Sequence, residues 1–294
     1  GVYLIFKDEH LEQEYLFKKQ IGITNDRATP RNEKIQEKYQ SEELNTLISN
    51  KILELGRIPL IGEFDSFYQS TILESRIPYS QLVRKIACKI SSDELKLSAA
   101  KRRSEILVFL SVNLFEGRTK YNSFGATLQH DIKTFFGSYR KASAEAEKLL
   151  FALQDEHELL SNAVQCQGMG YGYLSGGKFR FHERQYSFLN DKLKLFTKIG
   201  ERFLETSDSE HIFQLHLITK KISILEISDF STLALPRITK RRIFDFRTTN
   251  GVELNHLQKK EVRVLYFKHY LMSKDDPNFL TQKSFDEQVS EVDN

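Results

Sequence analysis

Apolar positions in the first half of the chain recur at spacings of three and four, which predicts a succession of helices. A short helix is expected over Glu12 to Phe17. Ser41 offers an N-cap and Gly56 a stop for a second, with Leu44, Leu47, Ile48, Ile52 and Leu55 along one face. After a turn at Ile58-Pro59 and Ile61-Gly62, Phe64, Phe67 and Tyr68 mark an aromatic helical segment. Ser80 opens a helix carrying Leu82, Val83, Ile86, Ala87 and Ile90, and Ser91 with Glu94 has capping-box spacing for the next. That helix is predicted from Ser92 to Phe115, ending at Gly117. Leu128 to Leu153 reads as one further helix, because Ile132, Phe135, Phe136, Tyr139, Ala142, Ala146, Leu149, Leu150 and Leu153 keep the same period.

Around Ser161 the pattern changes. Gly168 to Gly177 holds five glycines and reads as a flexible loop, followed by a helix from about Gln185 to Leu204. Ile212 to Ile218 and Ile222 to Ile227, separated by Thr219-Lys220-Lys221, suggest a hairpin, with further short strands at Ile243 to Arg247, Val252 to Leu257 and Val262 to Phe267. The expected fold class is α+β: an N-terminal, mostly α-helical domain followed by a small α+β domain with an antiparallel sheet. Residues 1–23 read as a strand, Val2 to Phe6, plus a short helix, the end of an upstream domain that precedes this segment. Residues 24–40 read as a linker, 41–160 as the helical domain, 161–274 as the α+β domain and 275–294 as an acidic tail.

Composition narrows the class without naming a function. At 40% hydrophobic and 28% charged over 294 residues the chain can build a core, and no apolar run approaches the length of a membrane span. Cys88 and Cys166 stand far apart, so neither a disulfide framework nor a cysteine-based zinc site is indicated, and a reducing cytoplasm is the expected compartment. The 43 Lys and Arg barely exceed the 40 Asp and Glu, but the excess is localised. Between residues 237 and 268 stand Arg237, Lys240, Arg241, Arg242, Arg247, Lys259, Lys260, Arg263 and Lys268, against Asp245, Glu253 and Glu261. Phe244 and Phe246 alternate with Asp245 and Arg247 within it. Such a strip could contact nucleic-acid phosphates, or be a solvated sheet face. Lys101-Arg102-Arg103, with Lys133, Arg140 and Lys141, could form a second patch or a polar helix surface. His182 and Arg184, beside Lys178, Arg180 and Glu183, could meet a phosphate or sit in a salt-bridged turn.

The most tempting cofactor motif is Gly168-Met169-Gly170-Tyr171-Gly172, but position 173 is Tyr, so G-x-G-x-x-G is not formed, and no apolar strand precedes it. No P-loop, H-E-x-x-H or G-x-S-x-G occurs. No catalytic residue, cofactor loop or metal set is therefore predicted in this chain.

Several segments together resemble a family named as DNA phosphorothioation-associated methyltransferases, a name that is itself a prediction of activity. Gly1-Val2-Tyr3-Leu4-Ile5-Phe6-Lys7-Asp8-Glu9, Gly56-Arg57-Ile58-Pro59 with Glu63-Phe64, and Asp131 through Ala142 with Ala144-Glu145-Ala146 and Leu149-Leu150-Phe151 are similar to its segments. So are Gln214-Leu215-His216, Lys220 through Leu225 and Ser228-Asp229-Phe230. Phe181-His182-Glu183-Arg184 departs from the family's V-H-R. The resemblance implies a bacterial cytoplasmic protein that works with DNA and with other phosphorothioation or restriction proteins. It also implies that S-adenosylmethionine binds upstream of Gly1, since no residue here matches that loop. The expected function is the accessory C-terminal portion of such a methyltransferase, contacting the DNA backbone. The alternative is a module that docks on other components of the modification or restriction machinery without touching DNA.

Overall fold

Helices and strands separate along the chain in the computed structural model, which describes residues 8–23, 42–74, 77–204, 209–248, 250–255 and 263–292. The fold is α+β, with a helical N-terminal region and a six-stranded antiparallel sheet. Two compact units are formed: residues 1–107 with 119–144, and residues 108–118 with 145–294. Among the described residues no helix is long and apolar enough to cross a membrane.

The first unit is built from α1 (Glu9–Gln20), α2 (Glu42–Leu55), α3 (Ser66–Glu74), α4 (Tyr79–Ala87), the first part of α5 (Ser92–Glu116) and α6 (Ala126–Phe136). Asp8 caps α1 by accepting from the Leu11 N–H at 2.8 Å, so that helix starts earlier than its apolar residues suggest. The periodic residues form the core as expected: Leu44, Ile48 and Ile52 of α2 pack with Leu82, Val83 and Ile86 of α4. The helix expected over 128–153 is two helices. Gly137, at φ +74°, ends α6, and α7 (Tyr139–Phe151) starts afresh. The Val2 to Phe6 strand, the 24–40 segment and Ser41 lie outside the described residues.

The second unit carries α8 (Glu156–Gly168), β1 (Tyr173–Ser175), β2 (Lys178–His182), a 3₁₀ turn over Glu183–Phe188, α9 (Asp191–Phe203), β3 (Glu210–His216), β4 (Lys221–Ser228), β5 (Arg237–Asp245), β6 (Asn250–Asn255), a 3₁₀ turn over Lys268–Leu271 and α10 (Phe279–Val292). The sheet is a meander in the order β1-β2-β3-β4-β5-β6. Five expectations are corrected here. The glycine-rich segment is no continuous loop: it closes α8 and then forms the β1-β2 hairpin, whose two-residue turn is Gly176-Gly177 at φ +54° and +71°. The helix expected from Gln185 is the 3₁₀ turn followed by α9, which Asn190 caps through the Leu193 N–H at 3.1 Å. The strand expected at 243 starts six residues earlier, at Arg237. Of the strand expected over 262–267, the described part makes one bridge, between Val264 and Arg237. The acidic tail folds as α10, and its Asp286 is buried beside His269 at 2.6 Å.

Alternation gives the sheet two unlike faces. On one, Phe179, Phe181, Phe213, Leu215, Ile222, Ile224 and Phe244 pack against Leu159 and Cys166 of α8 and Leu193 and Phe196 of α9. On the other, one end is apolar: Ile212, Leu225 and Ile227 pack with Phe230, Leu265, Leu271 and Met272. The remainder of that second face has a polar part over β1 to β4, with Ile243, Val252 and Leu254 beside it on β5 and β6.

Candidate nucleic-acid interface

The polar part of the second face is assembled by strand register. Tyr173, Arg180, Gln214 and Ser223 are successive neighbours across β1 to β4, and the next row holds Lys178, His216 and Lys221. Arg241 of β5 reaches into the same cluster. Arg180 Nε donates to Gln214 Oε1 at 2.6 Å, and Arg241 Nη2 donates to Ser223 Oγ at 3.0 Å. With its oxygen turned to Arg180, the Gln214 amide donates to His216 Nε2 at 2.8 Å, so that imidazole is the neutral tautomer protonated on Nδ1.

Among the described residues neither guanidinium in this cluster meets a carboxylate. Burial lowers the pKa of Arg180. Burial, then the charges of Arg180 and Arg263, lower that of Arg241. His216 is pulled down to about 4 by burial first, then by Arg241, Lys178, Arg180 and Lys221. Burial is the largest cause of all three shifts, and for Arg241 and His216 neighbouring cations add to it, an excess of positive charge among the described residues that favours an anion. One corner is balanced: Lys221 pairs with Asp245 at 3.1 Å.

An aromatic ledge adjoins the cations. The Tyr173 ring, beside Arg180 in the register, stacks on Tyr270 with centroids 4.3 Å apart and planes 14° from parallel, and Phe267 lies 6.3 Å from Tyr173. Tyr270 keeps 38% of its surface exposed, with the Tyr173 and His269 rings 4.3 and 4.0 Å from its centroid. Guanidiniums that hold phosphates beside exposed rings that stack on bases are the two components of single-strand recognition surfaces.

The residues of the basic strip divide between the two faces. Arg241 belongs to the unbalanced cluster. Arg242, only 8% exposed, points to the opposite face and pairs with Glu226 at 2.6 Å and Glu253 at 2.9 Å. Lys240 shares Glu253 at 3.4 Å, and Arg247 pairs with Asp245 at 3.1 Å. Arg237 is exposed at the start of β5. Lys268 is buried and donates to the Leu233 carbonyl at 2.8 Å, while Lys259 and Lys260 lie outside the described residues. His182 is buried against Phe230, with ring centroids 4.4 Å apart, and Arg184 pairs with Glu210. The sequence names Arg180 only as a neighbour of His182 and Arg184, and gives no signal for Tyr173, Gln214, His216 and Ser223 as contacts. They come from four strands and meet only through register.

In the first unit Lys101, Lys133 and Arg140 are exposed, and Arg103 lies over the Phe136 ring at 4.8 Å. Arg102 is committed to the buried Asp131 at 2.7 Å. Asp131 also accepts from Arg57 Nε at 2.5 Å, and Arg57 grips both oxygens of Glu63 at 2.6 and 2.8 Å. Burial alone would lower the Arg57 pKa, but Glu63 and Asp131 outweigh it and raise it. The charged residues of the Gly56-Arg57 to Glu63 segment and of the Asp131 segment thus meet in one buried network. No family model matches the chain, and neither a curated protein nor a solved structure does.

Proposed function

We propose that the second unit binds DNA through the cationic part of its second sheet face, as the backbone-gripping, accessory portion of a DNA-modification protein. The observation that carries this reading is the pair Arg180 and Arg241, held in one cluster with Lys178 and opposed by no carboxylate among the described residues. Each such cation can neutralise a phosphate and release condensed counterions. The stacked Tyr173 and Tyr270 rings add an aromatic edge for a base next to the gripped backbone. The segments that resemble the phosphorothioation-associated methyltransferases support placing this grip in a bacterial, cytoplasmic modification or restriction system. In that setting the second unit positions the strand, and S-adenosylmethionine-dependent methyl transfer is the work of another part of the system.

The test is binding of the full chain to plain and phosphorothioated DNA, duplex and single-stranded, at several salt concentrations. Affinity should fall steeply with salt, and Arg180→Gln and Arg241→Gln should each reduce the log–log salt slope by about 1. A preference for sulfur-bearing DNA would make the module a reader of the modification. Absent or salt-independent binding would refute the reading and favour docking on another protein.

A further inference from the structure

A cavity of about 410 Å³ opens beside the cationic face, between the Met169-Tyr171 segment, the 3₁₀ turn after β2 and the Leu271-Asp276 segment. His182 and Gln185 both line it, and each has a buried side-chain nitrogen, Nε2, without a hydrogen-bond partner, the nearest carboxylate to His182 Nε2 being Glu210 at 4.0 Å, beyond hydrogen-bond distance. Both atoms are donors. Gln185 Oε1 accepts from the His182 N–H at 3.2 Å, which turns the amide NH₂ the other way. His182 Nδ1 accepts from the Arg184 N–H at 3.2 Å, so the ring proton must sit on Nε2. The imidazole stays neutral because burial, then Arg184 and His211, lower its pKa to about 4. Buried donors left without acceptors are uncommon in folded proteins, and two on the lining of one cavity are groups that a guest or water can satisfy.

The rest of the lining says what kind of ligand. Phe230, Leu271 and Met272 make an apolar wall, and Tyr171 and Phe188 stack with centroids 4.5 Å apart and planes 2° from parallel. That spacing admits no ring between them, so a planar guest stacks on the outside of the pair. A bare anion is disfavoured: Arg184 is committed to Glu210, and Lys274 is offset by Asp275 and Asp276 in the same lining. The carboxylates suit amino or hydroxyl donors on the guest's outer side. His182 lies two residues from Arg180 on the same face of β2, roughly 7 Å along the strand.

We propose that this cavity binds a nucleobase, with two ring acceptors on His182 Nε2–H and the Gln185 amide. The choice of a nucleobase over other acceptor-bearing heterocycles rests on the nucleic-acid reading above. The base can come from a free nucleoside or from a strand whose backbone lies on the cationic face, where extrusion would bring it into reach.

The full chain, labelled with ¹⁵N, is titrated separately with adenosine, guanosine, cytidine and thymidine, and then with single-stranded oligonucleotides with and without one abasic site. Saturable binding that shifts the His182 Nε2–H resonance supports the proposal, and a shift given only by intact oligonucleotides identifies an extruded base as the source. Gln185→Glu keeps the Oε1 acceptor and removes the donor, so it should weaken binding about tenfold or more at an unchanged melting temperature. If that variant does not fold, the resonance in the unmodified chain decides. Unmoved His182 with every probe overturns the proposal even if DNA binds the cationic face, as does full binding by folded Gln185→Glu. Nucleoside binding without binding of plain or phosphorothioated DNA sustains the cavity and refutes the interface.

Discussion

Asp131 is fully buried yet carries two arginines, Arg57 at 2.5 Å and Arg102 at 2.7 Å, and that difference in company decides what each is for. Arg57 is itself buried and holds Glu63 in a two-pronged grip, so its charge is satisfied inside the protein and is unavailable to phosphate. Arg102 is 27% exposed and lies nearer to solvent. Removing Asp131 leaves Arg57 with one carboxylate instead of two. Asp131→Ala is therefore expected to cost about 3 kcal/mol in urea unfolding, the low end for breaking a buried ion pair, because Glu63 remains. Arg102→Ala should cost about 1 kcal/mol or less. Equal losses would mean that Asp131 serves chiefly to hold Arg102. Arg180 and Arg241 follow the opposite logic: their partners are the neutral Gln214 and Ser223, so neutralising them removes no ion pair among the described residues.

The β1-β2 hairpin presents Tyr173, Lys178 and Arg180, and its geometry depends on Gly176 and Gly177. A Cβ on Gly176 would meet nothing within 4 Å, so Gly176→Asn, which tolerates a left-handed backbone, should be nearly neutral in melting temperature and in DNA affinity. A Cβ on Gly177 would approach Ile218 Cδ1 to 2.6 Å. Ile218 is half exposed and its methyl can swing aside, so the cost of Gly177→Ala is mainly the backbone's, about 1–2 kcal/mol. A Gly177→Ala hairpin that kept full stability would show that the turn is not held at positive φ. This element was readable in advance: two glycines separate Tyr173-Leu174-Ser175 from Lys178-Phe179-Arg180-Phe181, a hairpin signal masked by the three glycines before it. The start of β5 was less readable, because Lys240 and Arg242 face inward to Glu226 and Glu253 where a strand usually buries apolar residues. The break at Gly137 was hidden because α6 and α7 bury residues at a spacing that runs unbroken through it. In α10 the inward positions include Gln282 and Asp286, so periodicity saw only an acidic tail. The helices α2 and α4 were legible because their inward positions are all apolar.

Over the whole molecule a formal charge of +3 conceals a sheet with paired charges on one face and, on the other, Arg180 and Arg241 meeting no carboxylate among the described residues, and pH separates their consequences. His182 and His216 have pKa values near 4 in the folded protein, below the ordinary histidine value of 6.5. Between those limits the unfolded chain binds more protons, so both contribute stability that is complete above pH 6.5 and is lost as pH falls to 4. For the buried His182 the loss is roughly 3 kcal/mol, and for the partly exposed His216 it is smaller. DNA affinity should move the other way. A phosphate on Arg180 and Arg241 offsets the cations that depress His216, so its pKa rises in the complex and binding takes up protons. A rise of one to two units would tighten binding about twofold to tenfold between pH 7 and pH 5, while the same change weakens the fold. His216→Gln should flatten that part of the pH dependence, leaving the contribution of the other histidines, and direct calorimetry in two buffers of different ionisation enthalpy should detect the proton uptake. Binding by the unmodified chain with no proton uptake and no change on His216→Gln would place the phosphates elsewhere on the protein.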